Sequence, residues 1–313
     1  MEGQCAAHKL AVWWLCQKSP TVLTMTAQRI LNFYLSPAKQ KLVGTGTGIF
    51  GKIGQAVHNA GWQLRLRDEA EPVAGAGYHL VYNTAVTTPD TLVLRRCYMD
   101  PFYRIEATND RWNWEVAGLP FAPESGAEWF RKHWQNRIFK GHSISDAGFI
   151  FMPLQGRLLD RRHFQAMSPI EMIHTTLAAD PTRDILATLH PKEVYTAEER
   201  AALDRIGGRF RLCAQPSMSL LARCAYVVAQ NSSMALTGFF ARKPAVLFAK
   251  IDFHHIAGSV PRDGVAAAFA DVANDRPFAR YLHWFFKQQA ISADAEDSLA
   301  QIAARLRQHR WPI

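Results

Sequence analysis

Between residues 148 and 249, short apolar runs alternate with amphipathic stretches in a regular way. Residues 148–155 (GFIFMPLQ), 184–189 (DILATL), 209–213 (RFRLC), 225–229 (AYVVA) and 245–249 (AVLFA) are mostly apolar and bounded by turn residues, the pattern of buried strands. The segments between them, 169–179, 196–206, 217–223 and 233–241, predict helices of one to three turns. Thr196 with Glu199 three residues on has the spacing of a capping box. Strands alternating with helices imply βαβ crossovers and hence a parallel sheet.

The first half is less regular. Residues 29–35 (RILNFYL), 62–67 (WQLRLR), 78–82 and 91–98 predict strands, and residues 50–60 predict a helix entered through a glycine-rich loop. This pattern fits a second α/β domain. The polar segment 139–146 (FKGHSISD) is the expected linker, and 292–307 predicts an amphipathic helix with Leu299, Ile302 and Leu306 on one face. The expected organisation is an extension over 1–24, an α/β domain over 25–145, a second over 146–290, and a C-terminal helix within 291–313.

Composition narrows the class. With 48% hydrophobic and 20% charged residues among 313, the chain reads as globular and long enough for two domains. The apolar run at 10–16 is too short for the ~20 residues of a membrane span. Gln17 and Lys18 follow it, where a signal peptide would carry small residues. A cytoplasmic protein is expected. The five cysteines show no metal-ligand spacing and read as reduced thiols. A net charge of +9 favours anionic partners: nucleic acid, a phosphorylated sugar donor or the acidic inner face of a membrane. The basic residues are scattered and form no nucleic-acid motif, so nucleic acid is not an expected partner.

Five local patterns carry candidate chemistry. Gly46, Gly48 and Gly51 form a GxGxxG sequence with Asp68 downstream, which imitates a dinucleotide fingerprint. That fingerprint must follow a buried strand directly, whereas Lys39, Gln40 and Lys41 intervene after the strand ending near Leu35. The alternative is a loop whose backbone amides approach an anion or a sugar. His190-Pro191 closes a strand at its carboxyl end, where α/β sheets bind ligands; a plain structural turn has the same sequence. Asn231, Ser232 and Ser233 precede a helix, as an N-cap or as a phosphate site. Gln155, followed by Asp160 and Arg161, ends the strand that opens the second domain. The stretch from Tyr98 to Glu106, with Arg111, Trp112 and Trp114 beyond it, mixes aromatic and charged residues as carbohydrate-contacting surfaces do.

In this order the patterns resemble the capsule polysaccharide biosynthesis proteins that include the Kdo (3-deoxy-manno-octulosonic acid) transferases. The resemblance runs from about Tyr98 to Gly258 and rests on Tyr98–Glu106, on Pro153-Leu154-Gln155 with a downstream aspartate, on His190-Pro191, and on Ser232-Ser233. It implies a GT-B-like α/β fold: two Rossmann-like domains with parallel sheets facing a central cleft. It further implies transfer of a sugar such as Kdo from a CMP-sugar to a glycan or glycolipid acceptor. Gln155, His190, Pro191, Ser232 and Ser233 would hold the nucleotide, and Glu106 and Asp160 would be base or nucleophile. Gly46, Gly48 and Gly51 would face the acceptor, with no cofactor or metal required and peripheral contact with the inner membrane as an option. The family usually places its aspartate where this chain has Leu159, and often a glutamate where it reads Met234 to Gly238. A UDP- or GDP-sugar transferase, a non-catalytic assembly protein and a nicotinamide-dependent oxidoreductase are the alternatives.

Overall fold

A computed structural model describes residues 29–122 and 127–313; residues 1–24, expected as an extension, lie outside them. In chain order the strands are β1 (Ile30–Leu35), β2 (Gln63–Asp68), β3 (Tyr78–Tyr82), β4 (Thr91–Arg96), β5 (Phe102–Glu106), β6 (Ile150–Leu154), β7 (Ile185–Leu189), β8 (Phe210–Leu212), β9 (Tyr226–Ala229), β10 (Ala245–Leu247), β11 (Gly258–Ser259) and β12 (Ile291–Ser292). They form two six-stranded sheets, ordered β12-β5-β4-β3-β1-β2 and β11-β10-β9-β6-β7-β8. Every pairing in the second sheet is parallel. In the first, β5 runs antiparallel to β4 and to β12. Two parallel-dominated sheets flanked by helices make the GT-B-like α/β fold expected from the sequence.

The strands and helices of the second half fall where the apolar pattern puts them. Thr196 accepts from the Glu199 amide while Glu199 returns a bond to the Thr196 amide, so the expected capping box is closed. Ser168 and Glu171 close a second one at the start of helix Pro169–Ala179.

The first half differs from expectation in three places. Residues read as a break before the glycines form helix Pro37–Val43, which starts on proline and buries nothing. Its Gln40 amide donates to the carbonyls of Leu35 and Arg67, both at 2.9 Å, and so ties down the ends of β1 and β2. The glycine loop therefore follows a helix, and the strand-to-loop junction a dinucleotide fingerprint needs is not formed. Its glycines have a packing reason instead: a Cβ on Gly51 would sit 2.5 Å from the Gly46 backbone. The second difference is β5, a fully buried strand that contains Arg104 and Glu106. The third is the chain's end. β12 pairs with β5, and helix Ser298–Gln308 packs on helix Gly48–Asn59, so residues 291–313 complete the first half.

The halves are not loosely tethered. One apolar cluster holds Phe102, Trp114 and Phe130 from the first half together with Phe151, Leu221 and Phe239 from the second. Each buried side chain of this size contributes about 1.5–3 kcal/mol. Arg131 adds a polar tie, donating to the Phe240 carbonyl at 2.6 Å. Burial pushes the Cys97 and Cys224 thiols up to about 12, so both are inert core residues.

Candidate functional site

In an open parallel sheet, ligands settle outside the carboxyl ends of the strands where the strand order reverses. In the second sheet that point lies between β6 and β9, because the chain runs from β6 out to β8 on one side and from β9 out to β11 on the other. Gln155 follows β6 directly, and the β6–β9 register carried forward brings Asn231 abreast of it. On the other flank, Leu154 pairs with Leu189, so His190 stands beside Gln155. His190, Gln155 and Asn231 thus form one row along the carboxyl edge.

Facing this row is the carboxyl edge of the first sheet. A polar cavity of about 580 Å³ lies between them, lined by Gln155, Asn231 and Ser233 on one wall and by Tyr82, Arg95, Arg96, Tyr98, Asp110 and Arg111 on the other. The volume is in the range of small-molecule sites. Trp112 of the first half stacks on Phe164, in the loop after β6, with ring centroids 4.4 Å apart, so the walls are joined by an aromatic contact.

The two serines have different positions. Ser232 is buried and caps helix Ser233–Phe240, accepting from the Met234 amide at 3.3 Å. Ser233 is exposed at the first helical position and lines the cavity. His190 is exposed; its Nδ1 accepts from the Lys192 amide at 3.2 Å, and its own amide donates to the Tyr195 hydroxyl at 2.8 Å. His190 ends the row with Pro191 beside it, and neither lines the cavity.

The candidate carboxylates are placed very differently. Glu106 is buried beside Arg104, whose Nε donates to its Oε1 at 2.5 Å, and its Oε2 accepts from the Glu115 amide at 3.2 Å. Both oxygens are engaged inside the first half, and Glu106 is not on the cavity wall. Asp160 is exposed in the loop after β6, with Oδ2 accepting from Arg157 Nε at 2.9 Å. The glycines lie elsewhere too. Gly46 and Gly51 border a hollow with His58 and Trp62, and Gly48 borders another with Tyr103 and Trp129.

The chain matches no protein-family model, and no curated protein matches it. Among solved structures it is similar to the β-Kdo 2,7 transferase of Thermosulfurimonas dismutans KpsC, at 11% identity and a TM-score of 0.47, covering 88% of this chain and 98% of that one. The β-Kdo 2,4 transferase of the same protein follows at 10% identity and a TM-score of 0.45, covering 81% and 89%. The wall teichoic acid polymerase TagF has 7% identity and a TM-score of 0.32, covering 90% and 89%.

Several cleft residues were not singled out by their sequence. Arg95 and Arg96 fall inside the strand expected over 91–98 and end β4 in the structure. Asp110, the single carboxylate among the lining residues, precedes the 3-10 turn Arg111–Asn113 without a recognisable motif. Arg111 and Trp112 did belong to an aromatic and charged stretch that stood out. Behind the cavity wall lies Asp252, fully buried and accepting a hydrogen bond from the Tyr98 hydroxyl. Burial pushes its carboxyl up to about 6, against the pull of Arg111 and of the Tyr98 bond.

Proposed function

We propose that the protein is a glycosyltransferase of bacterial surface polysaccharide assembly, moving a sugar such as Kdo from a CMP-sugar to a glycan or glycolipid acceptor. The observation that carries this reading is the polar cavity at the switch point between β6 and β9, bordered by the carboxyl edges of both sheets. In this reading the base and ribose lie along His190-Pro191 and Gln155. The phosphate meets Asn231, the Ser233 hydroxyl and the first amides of helix Ser233–Phe240, while Ser232 holds that helix end in shape.

The chemistry follows from charge. As the sugar leaves, negative charge grows on the departing phosphate, and amide and hydroxyl donors fixed around it lower the barrier without a metal. A carboxylate must take the acceptor's proton or attack the anomeric carbon. Asp160, on the loop after Gln155, is the proposed carboxylate, with Asp110 on the facing wall as its rival. Glu106 serves the fold of the first half. A glycolipid acceptor would bring the protein to the inner membrane surface; no helix among the described residues is long and apolar enough to cross it.

Calorimetry against CMP, CDP, UDP, GDP and NAD tests the reading. Selective CMP binding that weakens in Ser233→Ala is the expected result. UDP or GDP in its place would change the donor, NAD would overturn the transferase, and no binding at all would leave a non-catalytic assembly protein.

A further inference from the structure

Three arginines crowd one indole ring. The guanidinium carbons of Arg111, Arg95 and Arg104 lie 4.5, 5.8 and 5.9 Å from the centroid of Trp114. Arg104 is neutralised by Glu106. Arg95 and Arg111 have no carboxylate within salt-bridge distance among the described residues, although Asp110 lies beside them on the same wall. Both side chains are held in place. Arg95 Nη1 donates to the Asn109 carbonyl at 2.7 Å, and Arg111 Nη2 donates to the Arg96 carbonyl at 3.0 Å while its guanidinium lies 4.1 Å from the Tyr98 ring centroid.

Two neighbouring positive groups, half-buried and in no ion pair, repel each other and lose hydration, although Tyr98 and the buried Asp252 carboxyl hold the Arg111 guanidinium up. Burial and the charge of Arg111 accordingly push the Arg95 guanidinium down to about 10. Arg95 Nε and Arg111 Nη1 are buried with no hydrogen-bond acceptor. The buried Asp252 carboxyl accepts from Tyr98 at Oδ1 and forms no ion pair or hydrogen bond with either arginine. Both arginines line the cavity, where a planar oxyanion can satisfy the two guanidinium groups at once.

We propose that Arg95 and Arg111 form a second anion site in the cleft, on the wall facing Asn231 and Ser233, and that it takes the carboxylate or phosphate of an acidic sugar acceptor. This rests on the cleft being a transferase site, with the donor phosphate held on the opposite wall. The cleft then binds two anions together, one on each half of the protein, which brings an acidic acceptor up to the donor.

The test is calorimetry in saturating CMP, titrating glucuronate, glucose 6-phosphate and glucose. At least one acidic sugar should bind clearly better than glucose, and which one it is assigns the group as carboxylate or phosphate. Arg95→Gln should weaken that binding about 10- to 100-fold, the usual worth of a charge-assisted hydrogen bond, with CMP affinity unchanged. Arg95→Lys, which keeps charge but loses the planar fork, should fall between. The site is overturned if neither acid binds better than glucose, if Arg95→Gln has no effect, or if CMP and the acid compete. Loss of CMP binding in the wild type would instead overturn the donor reading, and an Arg95-dependent acid site would survive it.

Discussion

Glu106 offers a sharp separation between a chemical and a structural carboxylate. The side chains of Arg104 and Glu106 are only 1% and 3% exposed, and they pair at 2.5 Å inside β5. Glu106→Ala removes the negative partner and leaves a buried guanidinium whose charge cannot reach water. Breaking a buried pair in this way costs about 3–5 kcal/mol. The Glu115 amide loses its acceptor at the same time, adding to the loss. Asp160→Ala is the matched control, since its pair with Arg157 is 55% and 65% exposed and is worth at most ~1 kcal/mol. Urea unfolding followed by tryptophan fluorescence should show a large drop in midpoint for Glu106→Ala and almost none for Asp160→Ala. The double replacement Arg104→Met/Glu106→Leu should recover most of the loss, because a well-packed apolar pair removes both buried charges. An unfolding curve for Glu106→Ala within 1 kcal/mol of the wild type, together with lost transfer, would refute the structural role and return Glu106 to the chemistry.

The two serines separate in a similar assay: Ser232→Ala should cost about 1 kcal/mol of stability as a lost N-cap, while Ser233→Ala should leave the unfolding midpoint in place and weaken nucleotide binding. Asp160→Asn should lower transfer by about 10²–10⁴-fold with nucleotide affinity retained, in single-turnover assays beside Asp110→Asn; if only the latter loses activity, the carboxylate is Asp110. Asp252 makes stability depend on pH. Its carboxyl is raised to about 6 in the folded protein, so its contribution is fully present below the unfolded value near 4 and is lost as pH rises through about 6. Asp252→Asn should therefore match the wild type at pH 4 and exceed it at pH 8, by up to about 3 kcal/mol; equal stabilities at both pH values in urea titrations would show that the carboxyl is not held neutral.

Wherever structure is local and apolar, it was legible in the chain. The central strands β6, β9 and β10 of the second sheet announce themselves because each is buried on both faces and so reads as a continuous apolar run. The Thr196 capping box needs only residues three apart. From these come the α/β class, the parallel sheet, and the strand ends that carry Gln155, His190 and Ser233. What the sequence hides is charge that is neutralised at a distance, and pairing between residues far apart in the chain. β5 looks irregular because Arg104 and Glu106 cancel each other only once the strand is buried. β12 is two residues long and is a strand only because β5 is beside it. The residues that separate the glycine motif from β1 form a short helix held by Gln40, whose partners lie at the ends of two strands 32 residues apart, Leu35 and Arg67. The cleft belongs to tertiary structure alone: residues 95, 111, 155 and 233 share one wall or face one another only because two sheets turn their carboxyl edges together.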